Sequence, residues 1–196
     1  MDFWVSIGST YSALTVLRID AAARKADVPV RWRPFNVRTI MVEQNNIPFM
    51  NKPEKTAYMW RDIERRAAVH GLDLRLPAPY PVPELPFANA VAVLGMSEGW
   101  GPAYIRATYE RWFRHGERPG EEPNLSASLT AAGADPEAAI ARAQSSEIAE
   151  ALAAETETAR SLGVFGSPSF VSDGELFWGD DRLEAALDWE TGRTRL

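Results

Sequence analysis

Four hydroxyl-bearing residues in succession, Ser9-Thr10-Tyr11-Ser12, follow the break at Gly8. Ahead of them, Asp2 to Ile7 is apolar enough for a buried central strand. Behind them, a helical pattern runs from about Tyr11 to Arg24, with Leu14, Leu17 and Ala21 on one face. Hydroxyls at such a strand-to-helix turn have two uses. A serine or threonine side chain can accept a hydrogen bond from a free N–H of the first turn, which makes Ser9 or Thr10 the N-cap candidate. A helix N-terminus also favours an anion, so the same corner can hold a negatively charged reacting group. Both readings stand on these residues alone.

The second candidate is Ser167-Pro168, directly before a short apolar run that reads as a strand. Proline is tolerated at the start of a strand, and a tight X-Pro turn is where a cis bond is most often kept. A cis Ser167–Pro168 bond would turn the Ser167 N–H and C=O outward. An extended peptide could then dock on them by strand-like pairing. Asp173-Gly174 is a hairpin signal between Phe170-Val171 and Leu176-Phe177-Trp178. Gly179-Asp180 opens a last helix whose N–H groups suit a carboxylate, and Asp180 also reads as its cap.

These groups need elements to position them. Val28 to Pro34 reads as a second strand, with Val30 and Trp32 on one face and Arg31 and Arg33 on the other. A β-α-β unit of this spacing implies parallel pairing. Pro53 precedes a helix from about Glu54 to His70, with Met59, Ile63 and Ala67 as its apolar line and Asp62–Arg66 as an i,i+4 ion pair. Leu76 to Pro86 carries five prolines and is an extended connector. Helical patterns resume at Phe87–Glu98, Pro102–His115, Asn124–Ala132, Pro136–Ala143 (with Asp135 as cap) and Ser146–Leu162, which Gly163 stops. The plan is a β-α-β half, an all-helical insertion, then α-β-β-α.

Composition narrows the chemistry. The 196 residues suffice for one domain, or a core fold carrying an insertion. A net charge of −6 without a basic run argues against nucleic acid or an anionic membrane as partner. No run is long enough for a membrane span, and the first residues lack the basic and apolar regions of a secretory signal, so a cytoplasmic location is expected. There is no cysteine, so any thiol used in chemistry must be brought by a ligand. His70 and His115 lack metal-ligand spacing and are expected as exposed helix-end residues; no metal, nucleotide or flavin motif is present.

Gly163-Val164-Phe165-Gly166, Pro168 and Trp178-Gly179-Asp180-Asp181-Arg182-Leu183 resemble the end of a thioredoxin-type fold. The wording is similar to that of the 2-hydroxychromene-2-carboxylate isomerases and kappa-class glutathione transferases of the DsbA-like superfamily, across nearly the whole chain. The resemblance implies an α/β, thioredoxin-like fold with an all-helical insertion: residues 1–36 and 146–196 as the thioredoxin-like domain, 37–145 as the insertion. It implies glutathione as cofactor. Ser9 stands where redox members have Cys-x-x-Cys, and in the resembled family a serine there hydrogen-bonds the glutathione sulfur and keeps it as thiolate. Thr10 departs from the usual Ser-Pro-Tyr-Ser and adds a hydroxyl.

Further roles follow from the same resemblance. Asn46-Ile47-Pro48, Pro53-Glu54-Lys55 and Tyr58 match the family's Asn-x-Pro, Pro-x-Lys and following tyrosine, which implies that Asn46 and Lys55 hold the glycine end. Asn51-Lys52-Pro53 has similar letters but breaks the spacing to Lys55. Ser167, beside Pro168, would pair the cysteinyl amides. Asp180 or Asp181 would pair the γ-glutamyl ammonium, with the N–H groups of Gly179 and Asp180 on its carboxylate. The implied reaction is isomerisation of a small conjugated aromatic substrate by reversible thiolate addition. A kappa-type transferase and a non-catalytic binding module are the alternatives, and a homodimer is left open. Most of Trp4, Phe35, Trp60, Phe87, Tyr104, Tyr109, Trp112 and Phe113 are expected in the core, with a few lining the substrate pocket.

Overall fold

The computed structural model describes residues 1–194. Its centre is β1 (Asp2–Val5), where Phe3, Trp4 and Val5 have no exposed surface. A strand buried on both faces needs apolar layers on both sides. On one side Phe3 packs edge-on against Trp32 at 4.9 Å and stacks on Phe170 at 5.5 Å, within the large core. On the other, Trp4 meets Phe35 at 5.8 Å beside Val37, Ile40, Ala159 and Val164. β1 pairs parallel with β2 (Arg31–Pro34) and antiparallel with β3 (Ser169–Ser172), which pairs antiparallel with β4 (Glu175–Trp178). The sheet order is β2-β1-β3-β4. Asp173 and Gly174, at φ of 50° and 82°, make the β3–β4 hairpin turn that their residue types favour.

The helix expected over Tyr11–Arg24 is two helices, α1 (Ser12–Val16) and α2 (Ile19–Ala26). The break at Leu17-Arg18 changes the buried phase: Ile19 and Ala23 face inward and Ala21 is exposed. Thr15 and Arg18, on either side of the break, both reach Asp180. The second strand is shorter than expected, and α3 (Val37–Glu43) follows it, capped by the Asn36 side chain on Arg38 N–H.

The inserted helices continue with α4 (Pro53–Val69), α5 (Leu85–Glu98) and α6 (Gly101–Glu110), which runs into a π-helical turn at Arg111–His115. Then come α7 (Asn124–Ala131), α8 (Pro136–Ala143) and α9 (Ser146–Ser161). Met59, Ile63 and Ala67 form the buried line of α4, and Asp135 caps α8 through Ala138 N–H at 3.2 Å. Pro86 sits inside the first turn of α5 rather than in the connector, where its missing N–H costs nothing. α5 packs on β2 and on α6, α8 and α9, tying the insertion to the sheet. After the hairpin, a 3-10 turn at Asp180–Arg182 leads into α10 (Leu183–Glu190). Among the described residues no helix is long and apolar enough to cross a membrane.

Candidate active site

The turn from β1 to α1 is held from below by the insertion. The Tyr109 hydroxyl lies 3.0 Å from both the Ser6 and the Ser9 carbonyl oxygens, and Ser9 N–H donates to Ser6 O at 3.1 Å. Burial pushes the Tyr109 phenol far above its usual pKa, so it stays a donor. From the other end of the chain, the Ser167 hydroxyl accepts from Ser6 N–H at 2.8 Å and lies 2.8 Å from the buried Ser12 hydroxyl. The Ser167–Pro168 bond is cis.

Ser9 is not a helix cap. Its hydroxyl donates to Ser167 O at 2.6 Å, and Tyr11 occupies the N-cap position without a side-chain cap bond. Thr10 is buried at the edge of the apolar cavity, with its hydroxyl on Met59 Sδ at 2.9 Å. With α1 only five residues long, its dipole is a small aid to an anion, and a side-chain donor matters more.

Two adjoining cavities meet at this corner. One, of about 280 Å³, is walled by Met41, Phe49, Tyr58, Met59, Tyr80 and Leu85, and also takes in Ser9, Ser167, Arg38 and Lys55. The other, of about 460 Å³, is lined by Asp62, Arg66, Pro168, Gly179, Asp180 and Asp181. Tyr11, Ser167 and Trp178 belong to both, so the two form one cleft with an apolar and a polar chamber. None of the eight aromatic residues considered as pocket candidates lines the apolar chamber. Trp4, Tyr104, Tyr109 and Trp112 are in the core, whereas the chamber's aromatics come from the β1–α1 turn, the loop before α4, the outer face of α4, the proline-rich connector and β4.

Ser9 and Lys55 reach the apolar chamber, Ser167 reaches both, and Pro168, Gly179, Asp180 and Asp181 line the polar one. Asn46 is exposed and lines neither, its N–H bonded to Met41 O at 2.8 Å. The Lys55 amine lies 5.8 Å from the Phe49 ring centroid. The Ser167 carbonyl is not open, since it accepts from Ser9, but among the described residues no backbone carbonyl accepts from Ser167 N–H. Gly179 N–H is spent on Pro168 O at 3.0 Å, so it is not free for a ligand carboxylate.

Asp180 differs most from expectation. Its side chain is 1% exposed and caps no helix. It accepts from Thr15 Oγ1 at 3.0 Å, Arg18 Nε at 3.0 Å and Arg66 Nη2 at 2.6 Å. The expected Asp62–Arg66 pair is therefore absent: Arg66 is held by Asp180, and Asp62 accepts from the Tyr11 hydroxyl at 3.0 Å. Burial and that bond push the Tyr11 phenol well above its usual range. Asp62 and Arg66 thus join the site unannounced, beside Tyr11 of the Ser9–Ser12 stretch. One sequence signal points to them: Asp62 and Arg66 flank the buried Met59-Ile63-Ala67 line, on the edge of α4 turned toward α1. His70 is not simply exposed either. Its Nε2 is 3.8 Å from Asp180 Oδ2, and desolvation, with the charges of Arg18 and Arg66, lowers its pKa. Asp181 is half exposed and pairs with Arg182 at 3.2 Å.

Trp178 forms its part of the cleft by lying on Gly166. A Cβ at Gly166 would stand 2.2 Å from Trp178 Nε1, a distance no real side chain shows. Gly166→Ala should therefore displace the indole. Near-UV circular dichroism checks this: the variant should lose the contribution that Trp178→Phe also removes, with the far-UV spectrum unchanged.

The model of the DSBA-like thioredoxin domain matches residues 1–188. The chain belongs to this family. It is 27% identical over 187 residues to a protein of Sphingobium xenophagum named 2-hydroxychromene-2-carboxylate isomerase, with 94% of each chain covered. A Pseudomonas putida protein of the same name is 24% identical over 185 residues, covering 93% of this chain and 90% of that one. A solved structure of a 2-hydroxychromene-2-carboxylate isomerase superposes with a TM-score of 0.85 at 24% identity, covering 98% of this chain and 94% of the other. The family and thioredoxin-like fold implied by the end-of-chain motif are thereby borne out.

Proposed function

We propose that this protein is a glutathione-dependent isomerase of the 2-hydroxychromene-2-carboxylate isomerase type. The observation that carries the reading is the meeting of Ser9 and Ser167 where an apolar and a polar chamber join, in a chain without cysteine. Two relatives that bear this isomerase name, aligned over more than nine-tenths of the chain, support it. When bound, glutathione supplies the thiolate that adds reversibly to a conjugated double bond and so permits rotation about it.

The residues present fit an extended, zwitterionic peptide. Ser167 offers an N–H without a backbone partner among the described residues and a carbonyl whose present donor is a rotatable hydroxyl. In the polar chamber, the Arg66 guanidinium suits a carboxylate, and Asp62 and Asp181 suit an ammonium. Lys55, with Asn46 nearby in sequence, serves the opposite end. Ser9's own task follows from its bond. Its proton points at Ser167 O; an amide N–H bound at that carbonyl would replace it and leave the hydroxyl free to donate to a thiolate. Docking of the peptide and stabilisation of its thiolate would then be coupled at one oxygen atom.

The test is calorimetry with glutathione and with S-methylglutathione, followed by turnover of 2-hydroxychromene-2-carboxylate, with chromatography separating an isomer from a glutathione conjugate. Isomer without stable conjugate supports the proposal, conjugate release makes the protein a transferase, and no binding of either peptide removes the reading. Lys55→Ala should weaken glutathione binding about tenfold or more, with turnover at saturation little changed, because a lost hydrogen bond to a charged group is worth about 1.5–3 kcal/mol. Asn46→Ala should act in the same direction. A larger loss in Asn51→Ala would mean that the loop holds the peptide through its other Asn-x-Pro-like segment.

A further inference from the structure

The apolar chamber contains a cation with no role so far. Arg38 lines it, is only partly exposed, and its guanidinium has no hydrogen bond or ion pair among the described residues. Other partly buried arginines of this protein are paired: Arg18 and Arg66 on Asp180, Arg33 on Asp2 and Glu155. An unpaired guanidinium among apolar side chains is costly unless an anion arrives. Nor does Arg38 serve its helix. It stands in the first turn of α3, where a positive charge opposes the helix dipole. Its charge is felt at Tyr80, on the chamber wall, where it opposes the upward push of burial on the phenol pKa.

The surroundings define what Arg38 would hold. Phe49, Tyr58, Tyr80 and Trp178 offer flat apolar surface, and Met41 and Met59 adapt to an aromatic ring. The planar guanidinium fork matches a carboxylate with two parallel hydrogen bonds. Lys55, the chamber's other cation, is exposed and leans over Phe49. We propose that Arg38 is the specificity-determining residue for the second substrate, binding the carboxylate of an aromatic acid whose ring fills the apolar chamber. This names the substrate group recognised at the site and rests on the isomerase reading above.

The experiment uses trans-cinnamate and its neutral isostere trans-cinnamamide as probes, titrated calorimetrically into the protein without glutathione. The wild-type protein should bind the acid at least tenfold more tightly than the amide. Arg38→Met should abolish that preference by weakening the acid alone, and Arg38→Lys should keep part of it. Glutathione affinity should be unchanged in both variants, which also shows that they are folded. Equal binding of acid and amide by the wild type, or an acid preference that survives in Arg38→Met, would overturn the proposal. So would loss of the preference in Lys55→Met instead. If the wild type fails to bind glutathione but prefers the acid through Arg38, the isomerase reading fails and the Arg38 assignment stands.

Discussion

Ser9→Ala should leave glutathione affinity nearly intact and slow turnover by about 10²-fold or more. Removal of one preorganised donor to a developing anion typically costs that much. The pKa of the bound thiol should rise toward the free value, about 8.5, and thiolate absorbance of the complex followed against pH measures it directly. The stability cost should be modest, about 0.5–1.5 kcal/mol, because the hydroxyl makes one hydrogen bond, to Ser167 O, and caps no helix. Ser9→Cys sharpens the test. A thiol at this corner should alkylate readily and form a mixed disulfide with glutathione under oxidising conditions. Thr10→Val is the control: it removes the hydroxyl on Met59 Sδ, costs stability, and should spare both thiol pKa and turnover. A Ser9→Ala protein with wild-type thiol pKa and turnover would reduce Ser9 to a tie between two loops.

Asp180→Asn should be the most destabilising single change at the site, by about 3–5 kcal/mol. The carboxylate is 1% exposed and takes donors from Thr15, Arg18 and Arg66, so removing its charge leaves two guanidiniums side by side without their shared anion. At about 2–4 °C per kcal/mol for a chain of this size, the melting temperature should fall by roughly 6–20 °C. His70 reports the cause. Its pKa already lies below the ordinary 6.5 through desolvation and the two arginines, and Asp180, with a smaller contribution from Glu184, opposes the drop. In Asp180→Asn it should fall further, as read from the imidazole proton resonances against pH. The sign for stability follows. As pH falls through about 6.5 the unfolded chain protonates this histidine first, so the folded state loses stability, and more steeply in the variant. A His70 pKa that rises in Asp180→Asn would contradict this network.

The residues that resolved from the sequence did so through local physics. Asp173-Gly174 takes positive φ at both positions because those residue types tolerate it, and the hairpin follows. Asp135 before Pro136 caps a helix because acceptor and free N–H are three residues apart. The Met59-Ile63-Ala67 line is buried because it is one face of a 3.6-residue period. Placement of Ser9 at the β1–α1 corner was legible for the same reason, and the fold and family followed from the motif near Pro168.

The partner of each polar group was decided by tertiary structure. Ser9 donates to a carbonyl 158 residues away, and Arg66 passes over Asp62, one turn off on its own helix, for Asp180, 114 residues on. An i,i+4 pair on an exposed face gains a few tenths of a kcal/mol, and a buried carboxylate demanding cations outweighs it. Thr15 and Arg18, from the start of the chain, also turn to Asp180. The walls of the apolar chamber were illegible for a related reason. Phe49, Tyr80 and Trp178 lie in loops or on a strand end, where no periodicity marks which way a ring faces, and only the approach of α4 to the Ser167–Trp178 corner brings them together.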